Sequence, residues 1–286
     1  MSMLRTFLIT GSALMLLCAC GNQKETPAAP AAEILPAAPK QEEQQPAEPP
    51  AETVVDGGDT REEATIIKDT DGLPLVSTYV TRPDVTGLVE SAAKKAIERY
   101  YDDLYRQEQE WWTDGLVDFA RENKKAAADY GGDFLPFTVT ETNEIVYDGK
   151  AFLSIRRDLE TYTGGAHGSH AVSCDNFRKS DGSLVKLSEL FRDGSYQDVL
   201  LEHVAAYIRN SLPENAPALY DNWEDTLKST FDENHFFIDR EALTIVYQEY
   251  DIAPYTSGAQ FFPVAYADIS NELSESFLRD IYGGKE

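Results

Sequence analysis

Tyr162-Thr163-Gly164-Gly165-Ala166-His167-Gly168 is the stretch whose residue types and spacing are best suited to chemistry. Three glycines around one imidazole allow positive φ and a close backbone approach. Such a loop can aim N–H groups at an anion or a carbonyl. The competing reading, and the favoured one, is a tight sheet corner with His167 packed against a tyrosine. His167 and His170 form a His-x-x-His pair, but in a strand these positions face opposite sides. A catalytic zinc site usually takes three protein ligands and no third is marked, so no metal is assigned. Ser169 lacks a Gly-x-Ser-x-Gly elbow and is not read as a nucleophile. Asp102, Asp103, Glu108 and Glu110 read as the solvated face of a helix. Trp111 and Trp112 read as one core-facing and one boundary residue rather than a sugar-stacking pair. His203, beside an apolar helix face, and His235, opening a strand, read as structural. No catalytic residue and no cofactor emerge from this inventory.

The elements that position these residues follow from periodicity. Leu75 to Arg82 reads as a strand ended by Pro83. From Leu88 to Trp111 apolar residues recur at three- and four-residue steps, which predicts a long helix capped by Asp84 or Thr86. Gly115 is expected to break it, with a second helix over 116–130. Strands are predicted at 137–147, 151–163 and 170–177, with a turn at Asp148-Gly149-Lys150. A short return at 184–186 and a helical turn at Leu190-Phe191 follow. Helices are expected at 198–211, 222–231 and 270–281, and strands at 236–239, 243–250 and 261–267. Blocks of helices and mostly antiparallel strands argue an α+β fold, sheets packed against helices in two intimately packed subdomains.

Composition bounds the surroundings. The chain has 286 residues, 25 Lys+Arg against 50 Asp+Glu, and a net charge of −25. Arg5 and the run Phe7 to Leu17 form a positive n-region and an apolar stretch too short for a ~20-residue spanning helix, which is the pattern of an export signal. Loss of residues 1–19 makes the net charge −26. Residues 21–58 carry Lys24 and Lys40 against seven carboxylates, a net −5, so residues 59–286 keep −21. Nucleic acid is an unsuited partner for such a domain. A basic protein or a cation suits its field, although acidity also serves solubility. Residues 21–58 are rich in Ala, Pro, Glu and Gln and poor in aromatics, as expected of an extended tether. Of three cysteines, Cys18 falls in the leader and Cys20 at its end, which leaves Cys174 without a disulfide mate; it reads as a small buried residue. The domain plan is therefore a leader (1–19), a tether (20–60), an N-terminal α+β part (61–190) and a C-terminal α+β part (191–286).

Two resemblances add to this. Leu17-Cys18-Ala19-Cys20 resembles a lipobox, which implies cleavage before Cys20, acylation of its thiol and a palmitate-bearing lipoprotein. Gly21 after Cys20 resembles the rule for sorting to the outer membrane. Gly164-Gly165-Ala166-His167-Gly168, Asn176-Phe177, Asp181-Gly182, Leu187 and Leu190-Phe191, followed by Tyr250, Ile252-Ala253-Pro254-Tyr255, Gly258, Phe262-Pro263 and Tyr266, resemble the paired domains of unknown function 4163 and 3298. The resemblance covers about residues 73–270. It implies kinship with the extracytoplasmic region of lysozyme-sensing anti-sigma factors, and with modules beside peptidoglycan deacetylases.

Two functions are weighed. The first is an exported, lipid-anchored, non-catalytic binding protein of the envelope, taking a basic protein such as lysozyme, or peptidoglycan. Its binding residues would be Gly164, Gly165, His167, Gly168, Tyr250, Pro254 and Tyr255. The second is a cell-wall hydrolase or deacetylase-like enzyme using His167 with a nearby carboxylate or tyrosine. The discriminator is geometric: catalysis needs His167 on the floor of a cleft beside a second polar group, whereas a binder needs an exposed acidic and aromatic surface.

Overall fold

The structure is a computed structural model that describes residues 61–211 and 218–283. The leader, Cys20 and the tether lie outside the described residues. The five-stranded sheet runs in the order β1 (Arg61–Lys68), β2 (Pro74–Arg82), β3 (Phe137–Asp148), β4 (Phe152–Tyr162) and β5 (Ser169–Arg178). All neighbours are antiparallel except β2 and β3, which are parallel. That exception is forced by the connection: α1 (Ser91–Glu110) and α2 (Leu116–Asp129) form the crossover, and parallel neighbours need one. β1 lies upstream of the first strand read from the sequence.

Two corrections concern the crossover. Gly115 does not break the helix. It keeps helical dihedrals (φ −65°, ψ −47°) and closes a π-helical turn, Trp111–Gly115, through which α1 runs into α2. The extra residue of a π turn rotates the following face, which buries Trp112 and leaves Trp111 half exposed. Neither Asp84 nor Thr86 caps α1: the N-cap is Glu90, without a side-chain cap. Asp84 instead accepts from Thr86 N (2.8 Å) and Lys94 Nζ donates to Thr86 Oγ1 (2.7 Å).

The period of two along β4 and β5 assigns each residue to a core. Leu153, Ile155 and Phe177 face the helices and pack with Ile97, Tyr101, Leu116 and Val117. Phe152 points the other way and joins the second core, built on β6 (Phe236–Ile238), β7 (Ala242–Tyr247) and β8 (Gln260–Ala265) with α3 (Tyr196–Ser211) and α5 (Glu275–Tyr282). Val172 packs with Phe237 and Val246 on that same face. The short α4 (Trp223–Ser229) contributes Leu227. The two parts are joined by fully buried polar groups. Asn176 Nδ2 donates to Phe236 O (2.6 Å) and its Oδ1 accepts from Ile238 N (2.9 Å) and Ser154 Oγ (2.7 Å). A buried amide with its partners in place fixes the docking register of the two sheets. Together they make the expected α+β fold.

Candidate functional site

The glycine–histidine loop is the β4–β5 hairpin connection, and its conformation explains its composition. Gly164 and Gly165 have φ +92° and +89°, and a Cβ on Gly168 would sit 2.5 Å from Thr161 O. Glycine is needed at the first two for dihedral reasons and at the third for space. Tyr162 donates its hydroxyl to Gly165 O at 3.2 Å. The β7–β8 connection stands opposite. Its Ile252 and Ala253 are buried, Tyr250 takes a left-handed φ of 67°, and Pro254 starts a 3₁₀ turn at Tyr255–Ser257.

The two loops meet. His167 stacks on Tyr255 with ring centroids 4.1 Å apart and 22° between planes, and Tyr250 lies 6.2 Å from Tyr255. The sheet corner with His167 against a tyrosine is therefore what the chain builds. His167 is exposed, and its Nδ1 lies 2.7 Å from Gly168 O. Among the described residues no carboxylate or nucleophile accompanies that ring. His170 is placed differently: Nε2 lies 2.9 Å from Asp158 Oδ1, Nδ1 lies 3.9 Å from Glu249, and its backbone N–H donates to Glu249 Oε2 (3.2 Å). The hydrogen bond to Asp158 raises the His170 pKa against the opposing effect of burial. Gln248 completes the tie. Its side chain accepts from Val172 N (2.9 Å) and donates to Val172 O (2.7 Å), satisfying the free edge of β5.

Between the open face of the sheet and this tyrosine loop lies a cleft of about 300 Å³. Thr140, Glu160 and His170 stand in one row across β3, β4 and β5, with Thr138 and Tyr162 paired one row further out. Thr161, Ser169 and Tyr255 complete its polar and aromatic lining. Of the seven residues assigned from the sequence to a binding surface, Gly168 and Tyr255 reach the cleft itself, as do Tyr162, Ser169 and His170, which the sequence also marked. Gly164, Gly165 and Tyr250 form its rim loops, and Pro254 sets the turn that presents Tyr255.

A second polar cluster was missed by the sequence reading. Glu108 is not on a solvated face. It points under the sheet, where Arg157 Nη1 lies 3.4 Å from it, 3.3 Å from fully buried Glu141, and Arg157 Nε lies 2.9 Å from Asp175. Tyr100 and Tyr101 donate to Asp175, and Tyr105 to Thr81 O. Three carboxylates thus face one guanidinium. Desolvation, and then the neighbouring Glu141, push the Glu108 carboxyl up to about 8. Glu108 continues the buried stripe of Ile97, Tyr101 and Tyr105 at a three-residue step, but its charge led it to be read with the solvated face. Cys174 is half-buried beside Val172 and Phe237, and burial raises its thiol pKa. Among the described residues no group of three or more His, Cys, Asp or Glu is arranged to hold a metal ion, and no helix is long and apolar enough to cross a membrane.

Comparison with known proteins agrees with the paired resemblance. Residues 73–170 match the family model described as deacetylase PdaC, and residues 188–267 match the protein family of unknown function DUF3298. Anti-sigma-V factor RsiV of Bacillus subtilis is 26% identical over 206 residues, which cover 70% of this chain and 67% of that protein. The crystal structure of a DUF3298 family member from Bacteroides fragilis shares the fold, with TM-score 0.59 and 16% identity over 80% of this chain and 99% of that one. A DUF3298 family protein from Pseudomonas aeruginosa superposes with TM-score 0.47 and 15% identity over 79% of this chain and 97% of that one.

Proposed function

We propose that this chain, a PdaC-type domain followed by a DUF3298 domain, is an extracytoplasmic, non-catalytic binding module that takes a basic protein of lysozyme type, held to a membrane by lipid on Cys20. Its similarity to an anti-sigma factor supports the extracytoplasmic and binding parts of this reading. The observation that carries the binding surface is the stack of His167 on Tyr255. It joins the chain's two distinctive loops into one aromatic rim beside a polar cleft that holds the carboxylate of Glu160. The net charge of −21 over residues 59–286 would speed encounter with a cationic partner. Gly164, Gly165, His167, Gly168, Tyr250, Pro254 and Tyr255 are the residues assigned to the surface. The exposed ring of His167, whose one hydrogen-bond partner among the described residues is a neighbouring carbonyl, favours this reading over acid–base work at that residue. The lipid on Cys20, and an outer-membrane or cell-surface location, rest on the lipobox and on Gly21.

The test is capture. The full chain, immobilised and challenged with an envelope extract, should enrich a lysozyme-type protein identified by mass spectrometry. Tyr255→Ala should lose that protein while keeping the circular dichroism spectrum. Equal recovery on both baits would remove the aromatic rim from the account.

A further inference from the structure

Glu160 has no hydrogen-bond or ion-pair partner among the described residues, yet it stands in the cleft beside a histidine. The reason is that His170 is already answered twice, by Asp158 at 2.9 Å and Glu249 at 3.9 Å. Arg156, the nearest guanidinium on the same strand face, is likewise committed to Asp158 at 2.8 Å and lies over the Phe261 ring at 4.9 Å. Glu160 is therefore an exposed carboxylate without a hydrogen bond or ion pair among the described residues, at the mouth of a cleft whose one imidazole, His170, is held by two other carboxylates. Thr161 and Ser169 pair with each other at 2.7 Å on the opposite face of the sheet and line the cleft's end through their backbone. The Tyr255 ring is held as a wall by its stack on His167.

We propose that the cleft over the Thr140–Glu160–His170 row receives a guanidinium, an arginine side chain presented by a basic partner. The proposal rests on the binding-module reading and names the chemistry of its contact. A guanidinium is planar, permanently charged, and carries five N–H donors and no acceptor. The cleft supplies the complement: one carboxylate for a charge-assisted pair, hydroxyl oxygens on Thr138 and Thr140, which share the face of Glu160, to accept further donors, and an aromatic wall against which a flat cation lies. An ammonium is a compact, strongly hydrated point charge that uses the carboxylate but not the wall, so lysine is the weaker ligand. At about 300 Å³ the cleft is at the small end of ligand pockets, which suits one side chain rather than an extended molecule.

The experiment titrates the full chain with Nα-acetyl-arginine amide, Nα-acetyl-lysine amide and tri-N-acetylchitotriose, read by NMR of threonine methyl groups. The arginine derivative should shift Thr138 and Thr140, with the lysine derivative at least about fivefold weaker. Glu160→Gln, a surface change that keeps the fold by circular dichroism, should weaken arginine about tenfold or more, the scale of a lost charge-assisted hydrogen bond. Equal response to lysine, an unchanged titration in Glu160→Gln, or shifts produced by the saccharide instead would each overturn the assignment. Hen lysozyme titrated into both forms separates the two readings. Equal binding to wild type and Glu160→Gln refutes the arginine cleft and leaves the partner intact. Arginine binding without lysozyme binding supports the cleft and removes that partner.

Discussion

Glu108→Gln should stabilise the protein at alkaline pH, and the size of the effect follows from the cluster around Arg157. In the fold, burial and Glu141 hold the Glu108 carboxyl at about 8 against an ordinary 4.5. The folded state therefore keeps a proton that the unfolded chain gives up between those values. Where the native state binds more protons, stability falls as pH rises. Glu108 imposes no penalty below pH 4.5, an increasing one from 4.5 to 8, and a constant one above. The difference corresponds to about 5 kcal/mol above pH 8 as an upper figure, and to roughly 3 kcal/mol at pH 7. Glutamine cannot ionise, and its amide still offers an oxygen to Arg157 and an N–H to Glu141. Urea melts of wild type and Glu108→Gln by far-ultraviolet circular dichroism, at pH 5 and pH 9, measure the gap. It should be below about 1 kcal/mol at pH 5 and several kcal/mol in favour of the variant at pH 9. Parallel pH curves would mean that Glu108 ionises normally in the fold, and the argument from three carboxylates around one guanidinium would fail.

The glycine–histidine loop gives a ranking. Gly165→Val forces a β-branched residue to φ +89° and should cost about 1–3 kcal/mol, more than His167→Ala, which removes one exposed stack; urea melts in the reverse order would contradict the loop geometry. Gly168→Ala should also destabilise, because its Cβ meets Thr161 O at 2.5 Å; an unchanged melting curve would show that the corner opens freely. His170 should titrate in NMR above 6.5, since its charged form is held by Asp158. The stability it contributes is full below that ordinary value and is lost as pH rises through the folded one; a midpoint at or below 6.5 would break the tie between sheet and tyrosine loop. Cys20→Ala should abolish partition into the detergent phase, because stable anchoring needs more than one acyl chain, and unchanged partition would refute the lipidation reading.

Period-two and period-three-to-four patterns were enough to place most strands and helices, because one face of each is buried and that burial fixes the register. The α+β class followed. The end of α1 was not legible, because a helical glycine and a π turn leave no trace in spacing. The burial of Glu108 beside Arg157 was hidden for a different reason: it lies on the stripe of Ile97, Tyr101 and Tyr105, but a carboxylate there reads as solvated until its buried partner is known. The rim loops were legible as unusual composition, since only glycine serves at Gly164, Gly165 and Gly168. Their meeting was not, because 88 positions separate His167 from Tyr255 and nothing local encodes the approach. The row Thr140–Glu160–His170 exists only in the strand register, so no single segment announces it.

The central claim is that the His167–Tyr255 rim recognises a basic protein and does not merely attract one by charge. Calorimetric titration of hen lysozyme into the full chain at low and moderate salt measures this directly. Specific recognition predicts heat that persists at the higher salt, where exposed charges are screened within ~10 Å, and that disappears in Tyr255→Ala with the fold intact. Heat that vanishes with salt, or that survives Tyr255→Ala unchanged, would contradict the claim.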